Sequence, residues 1–156
     1  MKDDFEILVE KYADMVTRIC FVNLENRVDA EDTWQNVFIK LFKSKKLWNK
    51  PDEELRKWLV TVTLNECRDI KRKLFHRNHC DIDELDVSYS EDFNKDVISA
   101  VRRLPLKYLQ VIELYYFEGY SVAEISDILS TNENTVKSRL KRGRELLKGE
   151  FLNEQL

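Results

Sequence analysis

Residues 121–148, SVAEISDILSTNENTVKSRLKRGRELLK, constrain the fold more tightly than any other stretch of this chain. Ser121 and Glu124 stand in capping-box spacing, so a hydroxyl and a carboxylate can satisfy amide groups that a helix start leaves open. Val122, Ile125, Ile128 and Leu129 then recur on one helical side. Ser130, Thr131 and Asn132 interrupt the pattern, and Asn132 is a good N-cap for a second helix. That helix turns Val136, Leu140 and Leu147 inward and leaves Lys137, Ser138, Arg139, Lys141, Arg142 and Arg144 elsewhere. The spacing predicts two helices joined by a tight polar turn, the second of them strongly basic.

A basic helix is often only a solvated surface. Here residues 135–148 carry six basic groups and one acid, in a chain whose 29 acids outnumber its 26 lysines and arginines. Short hydroxylated Thr135 and Ser138 among long cations suit close approach to phosphates and base edges. Such a pair resembles a DNA-binding helix-turn-helix.

The remaining composition points the same way. Only three glycines and two prolines occur in 156 residues, and alternating strand patterns are missing, so the expected fold class is all-α. The length suits one ordinary domain or two small ones. Net charge is −3, but it is unevenly spread: residues 81–96 hold seven acids and one lysine, while the segments on either side are basic. Cys20, Cys67 and Cys80 are widely spaced with no CxxC pair, which argues against a disulfide framework or a metal site and fits a reducing cytoplasm. No signal-peptide core and no membrane-spanning apolar run are present, and the expectation is a soluble cytoplasmic protein.

In chain order, residues 3–22 carry a helical stripe of Phe5, Leu8, Val9, Tyr12, Met15, Val16 and Ile19. Asp29 is placed to cap a second helix, DAEDTWQNVFIKLFKSKK, with Glu31 and Asp32 in its first turn, where the helix dipole favours acids. Its apolar positions are Trp34, Val37, Phe38, Leu41 and Phe42. A long third helix comes after Pro51, from about Asp52 to Phe75, with Leu55, Trp58, Leu59, Val62 and Ile70 inward. Its second half, NECRDIKRKLFHR, has five Lys or Arg against two acids, with the aromatics Trp58 and Phe75 nearby. Aromatics beside a cationic track suit single-stranded nucleic acid, although core packing explains each ring singly. Residues 78–93 read as an acidic linker. Asn94 can cap a helix DVISAVRRL, Pro105 punctuates, and Gly119 terminates KYLQVIELYYFEG. His76 and His79 have no ligand set at metal spacing and read as surface residues.

With both halves in view, the chain resembles the extracytoplasmic-function (ECF) group of bacterial RNA polymerase sigma factors. DAEDTWQNVFIKLFK is similar to the family's polymerase-binding helix, and LRKWLVTVTLNECRDIKRK to its promoter-melting helix. LPLKYLQVIELYYFEGYSVAEISDILSTNENTVKSRLKRGRELL is similar to its C-terminal domain. The resemblance implies a domain at 1–77 that binds polymerase and melts the promoter, an acidic linker at 78–93, and a helix-turn-helix domain at 94–156 reading the upstream promoter element. It implies that Glu31, Asp32, Gln35 and Phe38 meet core RNA polymerase. It assigns Trp58, Asn65, Arg68, Lys71, Arg72 and Lys73 to the opened downstream element, with Asn65 receiving a flipped base. Thr135, Lys137, Ser138, Arg139, Lys141 and Arg142 would contact the upstream element. The partners implied are core polymerase and promoter DNA, and family members are commonly restrained by an anti-sigma factor. No catalytic centre, metal or cofactor is implied.

Some residues depart from the family pattern. Asn36 stands where an acid is common, Trp34 where a smaller residue is, Leu109 where Arg is, and Ser130 where Gly is. Gly143 lies inside the last helix, at a cost of about 1 kcal/mol relative to Ala. Two other readings of the residues stay open: an autonomous helix-turn-helix regulator, and an interaction module that sequesters a partner without reading DNA.

Overall fold

The computed structural model describes residues 3–77 and 95–154. The acidic linker 78–93, His79, Cys80 and the Asn94 cap lie outside the described residues, as do the side chains of Phe75 and His76. Every regular element among the described residues is helical. The chain divides into two compact units.

The N-terminal unit is a three-helix bundle. Helix α1 (Asp4–Asn23) starts where the Asp3 carboxylate accepts from the Glu6 amide at 2.8 Å. Helix α2 (Arg27–Lys43) begins three residues earlier than a cap at Asp29 would place it. The Asn26 side chain caps it, accepting from the amides of Val28 (2.7 Å) and Asp29 (3.3 Å), so Asp29 falls inside the first turn. The cap moves because Asn26 offers the same acceptor as Asp29 and lets the helix gain three residues. A 3₁₀ turn (Lys45–Leu47) leads to Pro51 and helix α3 (Asp52–Arg77).

Helix α3 packs against both α1 and α2, which widens its inward stripe. Leu55, Leu59, Val60, Thr63, Leu64 and Cys67 are buried, whereas Trp58, Val62 and Ile70, expected inward, are only half-buried. Val16, Ile19, Val37 and Leu41 complete the core. Cys20 and Cys67 are free and buried, and the Cys67 thiol is pushed well up by its hydrogen bond with Cys20 and by burial. At the bundle's edge Tyr12 donates a hydrogen bond to Asp52, and Lys11 pairs with the same carboxylate at 3.0 Å. Those two hydrogen bonds hold the Asp52 carboxyl below its ordinary value.

The C-terminal unit contains α4 (Lys95–Arg102), α5 (Leu106–Ile112), α6 (Val122–Leu129) and α7 (Glu133–Glu154). Helix α5 runs on into a π-helical turn, Glu113–Phe117, and Gly119 at φ +74° reverses the chain. That left-handed conformation favours glycine, as the terminator reading of Gly119 requires. Arg103 pairs with Glu150, joining the end of α4 to α7.

Candidate nucleic-acid and partner interfaces

The helix-turn-helix forms as its spacing demands. Ser121 Oγ accepts from the Glu124 amide and Glu124 Oε1 accepts from the Ser121 amide, both at 3.1 Å. Ser130 takes the left-handed conformation (φ 53°, ψ 47°) that ends α6. The Thr131 amide donates back to the Ser126 carbonyl at 3.0 Å, and Asn132 Oδ1 accepts from the Thr135 amide at 2.7 Å to start α7. Ile125, Val136 and Leu140 are buried; Leu147 is half-buried.

Gly143 continues the Val136–Leu140 stripe. A Cβ at that position would lie 2.9 Å from Ile112 Cγ1 and 3.1 Å from its Cδ1, so the absence of a side chain at Gly143 is what lets α5 and α7 approach this closely. Leu109, a departure from the family pattern, is a buried residue of α5.

With that stripe turned inward, Lys137, Ser138, Lys141 and Arg142 are exposed, and Thr135 and Arg139 are half-buried beside them. Arg142 pairs with Glu145 at 3.3 Å, and Arg144 donates to the Tyr116 hydroxyl at 3.1 Å. The exposed side is thus a short polar tooth, Ser138, among long cations, the chemistry that reads base edges and neutralises phosphates.

On α3, residues 58, 65, 68 and 72 share a side at 3.6 residues per turn. Asn65, Arg68 and Arg72 are exposed there, with Trp58 half-buried at one end. Lys71 and Lys73 lie on opposite flanks of this line, Lys73 exposed and Lys71 half-buried. Lys40 of α2 pairs with Glu66, tying down the turn that presents Asn65.

On α2, Glu31, Asp32 and Gln35 are exposed, and Arg27 bonds Glu31 at 3.0 Å. Phe38, which the resemblance assigns to the polymerase contact, is 4% exposed, and its ring packs on Trp34 at 4.5 Å, supporting that side chain from within the core. Phe42, one of the apolar positions of α2, is 53% exposed, touching Phe5 at 5.1 Å across the ring centroids. With Val28 (63% exposed) and Ile39 (50%) it continues a line, Val28–Asp32–Gln35–Ile39–Phe42, at alternating spacings of four and three. That is the seam spacing of a helix that packs on another helix. The signal was present in the sequence, but apolar residues surround α2 widely enough for two stripes to compete.

Residues 8–75 match the family described as Sigma-70 region 2, and residues 95–147 match Sigma-70, region 4. The chain is 33% identical to RNA polymerase sigma factor SigZ of Bacillus subtilis, over 81% of this chain and 74% of that protein. It is 27% identical to ECF RNA polymerase sigma factor SigW of the same organism, over 94% and 88%. Its fold is similar to that of the sigma factor RpoE from Bartonella quintana, solved with the anti-sigma factor NepR (TM-score 0.77, 20% identity, 94% and 95% covered). Two helical units carrying regions 2 and 4 define a sigma factor, a protein that directs transcription initiation. The chain belongs to the sigma-70 family, in its extracytoplasmic-function group. No helix among the described residues is long and apolar enough to cross a membrane.

Proposed function

We propose that the chain is a cytoplasmic promoter-specificity subunit that reads its promoter at two points and docks on core RNA polymerase through the outer side of α2. The observation that carries this reading is the separation of roles by exposure. In each unit one helix turns its apolar stripe inward and leaves an outward line of cations and short polar groups, Asn65–Arg68–Arg72 on α3 and Lys137–Ser138–Lys141–Arg142 on α7.

In this reading α7 enters the major groove of the upstream element, a helix fitting that groove's width. Each bidentate contact to a base there is worth about 1–3 kcal/mol of discrimination. Thr135 and Arg139, nearer the core, meet phosphates. Asn65 takes a flipped base of the downstream element: its amide offers a donor and an acceptor to one base edge, and extrusion costs only a few kcal/mol once a pocket receives the base. Trp58 gives that strand a stacking surface, and Arg68, Arg72 and Lys73 hold the adjoining phosphates, with Lys71 contributing charge from the side.

Polymerase docking falls to Glu31, Asp32 and Gln35 with Val28, Ile39 and Phe42. An exposed apolar seam with acids in its middle fits a basic helical partner. The same surface is open to an anti-sigma factor, as the partner of the Bartonella RpoE suggests. The test is reconstituted transcription with core polymerase, this chain and a promoter library. Promoter-specific initiation dependent on the chain is expected. Association without specific initiation, or tight duplex binding without polymerase, would favour the sequestering module or the autonomous regulator instead.

A further inference from the structure

Beside the exposed seam of α2, a cleft of about 330 Å³ opens between α1 and α2. Its deepest lining residues, Cys20 and Ala30, are buried, and half-buried Thr17 and Trp34 stand higher on opposite helices. Exposed Arg27, Glu31 and Gln35 stand at the mouth, with Arg27 and Glu31 paired at 3.0 Å. The floor, Cys20 and Ala30, bears no ionic side chain, and Cys20 shares a hydrogen bond with the buried Cys67 thiol. The Trp34 ring is held by Phe38 at 4.5 Å, so that wall is formed before any partner arrives.

Gln35 belongs both to the cleft mouth and to the seam, so a helix lying along the seam passes over the opening. Asp32 within the seam favours a basic partner, Glu31 being already paired with Arg27 at 3.0 Å, while the uncharged floor of Cys20 and Ala30 and the Trp34 wall select an uncharged side chain from it. A volume at the lower end of the ~300–1,000 Å³ range of small-ligand sites suits one or two side chains better than a larger ligand. An aromatic wall in a desolvated pocket at an interface is where binding energy concentrates. The geometry points to this cleft as the anchoring pocket for core RNA polymerase, taking an aliphatic side chain from the basic helical segment that docks on α2. This rests on the polymerase-docking reading above and adds to it the chemistry of the partner's anchor. Trp34, which departs from the family's smaller residue, then supplies apolar contact on a helix that has Asn36 where an acid is common.

The test blocks the cleft from both sides in the full chain. Thr17→Leu fills it from α1 without changing a charge or any α2 residue, and Gln35→Phe covers its mouth. Asp32→Asn serves as the electrostatic comparison. Association with purified core polymerase is followed by biolayer interferometry at two salt concentrations. Thr17→Leu and Gln35→Phe should each raise Kd at least tenfold through faster dissociation, with the salt dependence of the wild type. Asp32→Asn should slow association and flatten the salt dependence. Thermal melts check folding; if Thr17→Leu unfolds the bundle, Thr17→Met, which fills the cleft with a flexible chain and leaves the docking seam of α2 untouched, decides in its place. Wild-type affinity in the blocked variants overturns the pocket and leaves polymerase docking intact. Failure of the wild-type chain to bind core polymerase overturns both.

Discussion

Gly143 and Gly149 lie in the same helix, yet alanine should act oppositely at the two positions. In a helix interior Gly→Ala is worth about 1 kcal/mol of stabilisation, because glycine loses more backbone freedom on folding. Nothing lies within 4 Å of a Cβ added at Gly149, so that gain should appear there undiminished. At Gly143 the new methyl would sit 2.9 Å from Ile112 Cγ1, 3.1 Å from Ile112 Cδ1 and 3.6 Å from Tyr108 Cβ. Ile112 is itself buried and has little room to turn aside. Overpacking of this kind costs about 1–3 kcal/mol, which cancels or exceeds the propensity gain. We therefore expect Gly143→Ala to be neutral to destabilising by about 2 kcal/mol, and the two variants to differ by about 1–3 kcal/mol. Native-state hydrogen exchange on α5 and α7 reads this locally, without requiring that both units unfold together. Adding Ile112→Ala, which removes both crowding atoms, should make Gly143→Ala favourable in a double-mutant cycle. If Gly143→Ala stabilised α7 as much as Gly149→Ala does, the close α5–α7 approach would be refuted.

Other outcomes rest on the same geometry. Ser130→Gly should stabilise the C-terminal unit by about 1 kcal/mol in urea titrations, since a left-handed conformation costs an L-residue about 1–2 kcal/mol and glycine nothing comparable. Phe38→Ala should destabilise the N-terminal unit by about 3–5 kcal/mol, whereas Phe42→Ala should leave its melting temperature within a few degrees while weakening association with core polymerase. The Asp52 carboxyl is held down in the folded state by Tyr12 and Lys11, so its contribution is present above the unfolded value of about 3.9 and is lost as pH falls through the lower folded one. Tyr12→Phe should accordingly flatten the acid limb of a stability–pH profile below about pH 4 and leave the slope near neutrality unchanged.

Much of this molecule was legible in its residues because its local signals agree. The capping box at Ser121, the Asn132 cap and the Val136–Leu140 period all predict the helix pair that forms. Where signals competed, the outcome depended on tertiary packing. Asn26 and Asp29 are both capable caps, and only the course of the chain from α1 decides between them. Phe38 and Phe42 are both apolar residues of α2, and periodicity cannot say which of two stripes meets α1 and α3. Gly143 looked like a defect from propensity alone, because its reason is Ile112, far away in sequence. The exposure of a cation is legible from sequence; which cations share a side, as Arg68 and Arg72 do without Lys71, depends on the helix being continuous through them.

The central claim is that two separate helices read two separate promoter elements. Base-preference profiles from reconstituted transcription on a randomised promoter library test it most directly, comparing the wild type with Asn65→Ala and Arg142→Ala. Asn65→Ala should relax preference at one downstream position, and Arg142→Ala at an upstream position with a loss of about 1–3 kcal/mol. Neither should change the other's profile. Uniform losses across all sequences in both variants would contradict the account, reducing both helices to phosphate-binding surfaces.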